Sequence, residues 1–88
     1  MSKWISVNER LPDAEHCYCL VTRHYHSSKE RPSVHYSFFT KNRELARKNN
    51  KYYSRKYQGK NSVHFEAAES GFVVTHWMEL PKPAELEV

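Results

Sequence analysis

The sequence predicts an α+β fold: a small antiparallel sheet of three or four strands with one basic helix in the long crossover. Three observations carry that expectation. Residues 72–81 (Phe-Val-Val-Thr-His-Trp-Met-Glu-Leu-Pro) form the longest near-continuous apolar run, opened by Gly71 and closed by Pro81. The run is rich in β-branched and aromatic residues and too short for a comfortable core helix, so it reads as a buried strand. Residues 17–26 and 33–40 alternate between turn signals, which predicts two strands paired antiparallel. Residues 41–57 lose the alternation and carry a loose helical stripe of Leu45, Ala46, Tyr52, Tyr53 and Tyr57.

The elements follow in chain order. Trp4, Ile5 and Val7 form an extended start, Asn8-Glu9-Arg10 a turn, and Leu11 an anchor before Pro12. Cys17 to His26 is a strand with Tyr18, Leu20 and Thr22 on one face and Cys17, Cys19 and Val21 on the other. Two largely apolar faces suit a central strand. Ser27 to Pro32 reads as a surface hairpin loop. Ser33 to Thr40 is the returning strand, with Val34, Tyr36 and Phe38 expected inward and His35 and Ser37 outward. Thr40 or Asn42 caps the helix, and Asn49-Asn50 breaks or weakens it by competing for backbone hydrogen bonds. Gln58 to Asn61 is a turn. Val63 to Ala68 is expected as a third strand, joined to the last one by Glu69-Ser70-Gly71 with the glycine left-handed.

With 88 residues, the chain is expected to form one domain over residues 1–81, carrying a basic insertion at 41–60. Residues 82–88, with one proline and three charges and preceded by Pro81, read as a frayed tail. A domain this small buries only about 60–65% of the surface of its unfolded chain. Its 2 Trp, 6 Tyr and 4 Phe must supply much of that burial. The material suffices for one core, not for a core and a deep catalytic cleft. The Trp…Leu-Pro pattern at Trp4–Pro12 is echoed at Trp77–Pro81, so the two indoles are expected buried and close together. The predicted core is Trp4, Val7, Leu11, Leu20, Tyr36, Phe38, Val74, Trp77 and Leu80.

Charge is unevenly spread. Residues 41–60 hold eight bases against one acid, Glu44, for a local +7 within a chain of net +4, which leaves −3 elsewhere. The pattern is a mildly acidic body with one basic insertion. Lysines and arginines interleaved with tyrosines neutralise phosphates and stack on bases, and an acidic protein partner suits the same patch. The candidate binding residues are Arg43, Arg47, Lys48, Lys51, Tyr52, Tyr53, Arg55 and Lys56.

Other chemistries fare worse. Cys17 and Cys19 sit one residue apart, about 6.5–7 Å between Cα atoms in a strand, at the edge of disulfide geometry. They read as reduced, in a cytoplasmic setting. No hydrophobic leader or membrane-length apolar run is present, so no membrane partner is expected. Zinc is an alternative for Cys17, Cys19, His24, His26, His16, His35 and His76. One-residue gaps are atypical of zinc pairs, however, and strand alternation puts the cysteines opposite His24 and His26. A Cys19–His76 hydrolase lacks a glycine-rich oxyanion hole, since Gly59 and Gly71 are the only glycines. Glu66, Glu69 and Glu79 read as solvated carboxylates. No catalytic residue, metal or cofactor is therefore assigned.

Trp4-Ile5-Ser6-Val7-x-x-Arg10-Leu11-Pro12 together with Val74-Thr75-His76-Trp77-Met78-x-Leu80-Pro81 resembles domain of unknown function family 551, small proteins of phages and prophages of enteric bacteria. The likeness covers the two ends. The basic, Tyr-rich middle departs from the short Gly- and Asp-rich segment usual there, and Glu79 replaces a usual proline. The resemblance implies a phage accessory protein in a bacterial host cytoplasm and implies no activity. The expected function is therefore that of a binding protein, not an enzyme. It would contact a host macromolecule, first a host protein, through the basic segment and exposed aromatics, with direct binding of DNA or RNA as the alternative.

Overall fold

The computed structural model describes residues 3–84. Four strands form one antiparallel sheet in the order β1-β4-β2-β3. They are β1 (Ile5–Ser6), β2 (His16–Tyr25), β3 (Ser28–Thr40) and β4 (Phe72–Glu79). Between β3 and β4 the chain builds a helical layer of α1 (Arg43–Asn49), α2 (Arg55–Gln58) and two 3-10 turns, Ser62–His64 and Glu66–Gly71. The fold is α+β, with two short helices in place of the single one expected. Residues 82–84 carry no regular structure, and the rest of the expected frayed tail, 85–88, lies outside the described residues.

β2 is central, paired with β3 on one side and β4 on the other. The expected β2–β3 pairing is present with a tighter connection: His26 and Ser27 make the turn and β3 starts at Ser28. Pro32 thus lies inside β3, which is an edge strand. A residue without an N–H there discourages pairing with another chain.

The helical layer covers one face of the sheet only. Cys19, Val21, Phe39, Val74 and Trp77 point into that face and meet Val7, Phe65, Ala67 and Ala68 in one cluster, with Ile5, Leu11 and Cys17 packed against it. The Cys17↔Phe39, Cys19↔Ser37 and Val21↔His35 pairs fix which side of β3 faces the layer. This corrects the expected orientation of β3, because Val34, Tyr36 and Phe38 fall on the open face. The reason lies in close approach. Cys19, Ser37, Ala67 and Ala68 are small and let the helical backbone lie near the sheet, and the Ser37 hydroxyl accepts a hydrogen bond from the Ala67 amide at 3.1 Å.

Several predicted core residues are displaced with that face. Tyr36 is 60% exposed; Leu20 and Phe38 are half-buried on the open face, and Leu80 is 40% exposed beyond the end of β4. Trp77 is buried, its indole N–H donating to the Arg10 carbonyl at 2.9 Å, with the Arg10 guanidinium 5.3 Å from its ring. Trp4 is half-buried and stands outside the core cluster. Ile5 is the cross-strand partner of Trp77, so alternation turns Trp4 to the opposite face and the two indoles share no core.

The expected strand at Val63–Ala68 is absent. β4 gives its ladder to β2 and β1, and only an isolated Phe39↔Phe65 bridge remains. The carbonyls of this segment are taken by buried side-chain amides instead. Asn50 Nδ2 donates to the Val63 and Phe65 carbonyls at 2.9 and 2.8 Å, and Gln58 Nε2 donates to the Ala68 and Phe72 carbonyls at 2.7 and 2.9 Å. The Ser62 hydroxyl donates to the Gln58 carbonyl and accepts from the Val74 amide. Polar stitching, not a tyrosine stripe, fastens the layer to the sheet: Tyr52 and Tyr57 are 82% and 55% exposed.

A candidate anion-binding pocket

α1 begins where the Asn42 side chain accepts from the Leu45 amide at 3.1 Å, and it ends at Asn50, whose amide donates to the Ala46 carbonyl. This one cap at each end sets a two-turn helix. Only Ala46 of α1 is buried. Arg43 and Arg47, one turn apart, project from the same flank. The chain then turns through Tyr53, whose hydroxyl donates to the Gly59 carbonyl. α2 follows, held by Gln58 Oε1 accepting from the Ser54 amide at 2.8 Å. Gly59, at φ +82°, ends α2 in a conformation glycine adopts freely and sends Lys60 and Asn61 back toward α1.

Arg43, Arg47, Tyr53, Arg55, Lys60, Asn61 and His64 together line a cleft of about 280 Å³. Four are cations and none is a carboxylate. Burial pushes the Tyr53 hydroxyl above its ordinary pKa, against the opposing pull of Arg55, Arg43 and Arg47. All three guanidinium groups therefore act on one phenol, as expected if their charge converges. His64 Nδ1 donates to the Thr40 carbonyl at 2.8 Å, and Asn61 Nδ2 to the Val7 carbonyl at 2.8 Å. The Asn61–His64 side of the cleft is thus pinned to Val7 and to the end of β3. Planar guanidinium forks match the geometry of phosphate and carboxylate oxygens.

The eight predicted binding residues divide. Arg43, Arg47, Tyr53 and Arg55 meet in the cleft; Lys48, Lys51, Tyr52 and Lys56 lie on the exposed flank. Lys60, Asn61 and His64 escaped the sequence reading. The legible signal was Gly59, which marks the reversal that returns the next residues to α1.

The rival chemistries have no such arrangement. Among the described residues no three His, Cys, Asp or Glu side chains gather to hold a metal ion. Cys19 is buried, and burial followed by the neighbouring Cys17 pushes its thiol up to about 12, far from a ready thiolate. His76 pairs with Thr22 on the open face and Cys19 faces the core, so the two cannot meet. Arg23 is structural: it donates to the Ala67 carbonyl at 2.6 Å and lies 3.8 Å over the Phe72 ring. No helix among the described residues is long and apolar enough to cross a membrane.

The open face of the sheet carries a second cluster, Tyr18 stacked on Tyr36 at 5.1 Å and tilted against Phe38 at 5.2 Å. The His16 ring stacks on Phe38 at 5.9 Å beside it.

No curated protein and no solved structure matches this chain. A family model described as "Protein of unknown function (DUF551)" matches residues 3–85, and the chain belongs to that family.

Proposed function

We propose that this member of the DUF551 family is a binding protein, not an enzyme, and that its α1–α2 segment grips the phosphate backbone of a nucleic acid. The supporting observation is the convergence of Arg43, Arg47 and Arg55, with Lys60, on one cleft free of carboxylates. A solvated insertion would spread its charges to lower their mutual repulsion. Here the helices that carry the three arginines are fixed by caps and side-chain amides, and the three side chains line one cleft suited to an oxyanion. Lys48, Lys51 and Lys56 then track the flanking phosphates. The setting is that of a phage or prophage accessory protein in a bacterial cytoplasm, the one the terminal motifs imply.

The test compares two variants of equal charge. Arg43, Arg47 and Arg55 to Gln alters the cleft; Lys48, Lys51 and Lys56 to Gln alters the flank. Retention on oligonucleotides and heparin is measured against salt. The cleft variant is expected to lose more affinity than the flank variant, and wild-type affinity falls linearly in log–log with salt. Equal losses would reduce the cleft to diffuse charge. No retention of the wild type at about 50 mM salt, where phosphate contacts are strong, would end the nucleic-acid proposal.

A host protein with an acidic surface is the second reading. It is favoured by the exposed flank, where Tyr52 is 82% exposed among Lys48, Lys51 and Lys56. Under that reading the flank variant loses the partner and the cleft variant keeps it.

A further inference from the structure

The tip of the β2–β3 hairpin brings a row of rings against α2, none of which lines the cleft. The Tyr57 ring lies 5.2 Å from His26, His26 lies 4.5 Å from Tyr25, and Tyr25 meets Phe72 edge-on at 5.6 Å. The Arg23 guanidinium closes the row over Phe72. Tyr57 and Tyr25 remain 55% and 41% exposed, so the row is not core. Lys56 stands beside it, its Nζ 5.4 Å from the Tyr57 ring centre.

The row is held in place. The His26 amide donates to the Gly71 carbonyl at 3.1 Å. Gly71, at φ +95°, offers bare backbone beneath the rings: a Cβ there would stand 3.0 Å from Tyr25 Cε1 and 3.2 Å from His26 Cδ2. α2 is short enough for its four side chains to serve different surfaces. Arg55 enters the cleft, Gln58 is buried, and Lys56 and Tyr57 face the solvent beside the row.

We infer that Tyr57, His26 and Tyr25 form a base-stacking platform, and that the nucleic acid this protein takes is single-stranded. The inference rests on the phosphate-gripping reading of the cleft and adds the base side of the ligand. A positively charged track flanked by exposed π-faces is how sequence-tolerant single-strand binders divide their labour. A duplex keeps its bases stacked on one another. It can place a phosphate in the cleft but leaves Tyr57 and Tyr25 idle. A single strand crossing α2 uses both: phosphate on Arg43, Arg47 and Arg55, then Lys56, then bases on the rings.

The experiment uses fluorescence anisotropy with the full chain at about 50 mM salt, where phosphate contacts are strong. Four probes are compared: oligothymidylate, oligouridylate, a DNA duplex of equal length, and heparin. The wild type is expected to bind one or both single strands more tightly than the duplex. The ratio of oligothymidylate to oligouridylate affinity tells DNA from RNA as the source of the strand. Tyr57→Leu is expected to weaken single-strand binding by about 5- to 150-fold, the range of one lost stack, with the salt slope and heparin affinity unchanged. Tyr57→Phe keeps a π-face and retains affinity. Equal wild-type affinity for single strand and duplex overturns the inference, and so does a Tyr57→Leu variant that binds as well as wild type or weakens heparin equally. In those cases heparin binding that still depends on Arg43, Arg47 and Arg55 leaves the cleft reading standing. Failure of every probe to bind removes both.

Discussion

Replacing Gln58 by leucine tests what holds the site together. Gln58 is 2% exposed and makes three hydrogen bonds, donating to the Ala68 and Phe72 carbonyls and accepting from the Ser54 amide. Leucine is of similar size and makes none of them. Ala68 is fully buried, so its carbonyl is left without water, at a cost of about 1–3 kcal/mol. Ser54 and Phe72 are half-buried and can turn to solvent, at about 0.5–1 kcal/mol each. Burial of the leucine offsets about 1 kcal/mol. The net loss worked from these terms is about 1–4 kcal/mol, a large share of a small domain's stability. Urea unfolding followed by tryptophan fluorescence reads it directly. With a slope of about 1 kcal/mol per molar, the midpoint falls by about 1–4 M, or the folded baseline vanishes. A midpoint within about 0.5 M of wild type would refute the view that side-chain amides fasten the helical layer.

Trp77→Ala, which empties a buried indole site in the core cluster, is expected to cost about 3–5 kcal/mol, while Tyr36→Ala on the open face costs about 1 kcal/mol or less; the same urea titration compares them. Gly71→Ala forces φ +95° on a residue with a Cβ and drives it against Tyr25 and His26; a loss of about 1–3 kcal/mol is expected by thermal melting, together with weaker single-strand binding. Cys19 has a folded-state pKa raised from 9.0 to about 12 by burial and then by Cys17. Its contribution to stability is full below pH 9.0 and is lost as pH climbs toward 12. Alkylation at pH 8 is expected to label half-buried Cys17 and to spare Cys19 until the chain unfolds, as peptide mapping of native and urea-treated protein would show.

How far the sequence disclosed the fold depended on where the chain spent its hydrogen bonds. β2, β3 and β4 were visible because their alternation and apolar content are local. The capping role of Asn42 and the break at Asn49-Asn50 were visible for the same reason, since short polar side chains act on their own backbone. The face of β3 was not. Val34, Tyr36 and Phe38 outweigh His35, Ser37 and Phe39 in apolar surface, so alternation alone sends the wrong set inward. What decides the matter is the layer that lies above, and whether small side chains let its backbone approach. The segment at Val63–Ala68 misled in a related way. Its buried positions read as a strand, yet its carbonyls belong to Asn50 and Gln58, which are 15 and 10 residues distant from the Phe65 and Ala68 carbonyls they bind.

The site follows the same division. Composition located the charge at 41–60 and four of the seven residues that line the cleft, because a run of cations is a property of the string itself. It did not separate Arg43, Arg47 and Arg55 from Lys48, Lys51 and Lys56, since that separation is made by two short helices meeting across a turn. One physical regularity accompanies the division: three of the cleft's four cations are arginines, Lys60 being the fourth, and the three on the flank are all lysines. A guanidinium fork keeps its geometry when crowded and partly dehydrated, whereas an ammonium is best left in water. Changing Arg43, Arg47 and Arg55 to lysine keeps every charge and removes the forks. Affinity for oligonucleotides is expected to fall with little change in salt slope, and stability to urea stays near that of wild type because none of the three is buried. If that lysine variant binds as well as wild type, charge alone accounts for the segment and the cleft has no geometric role.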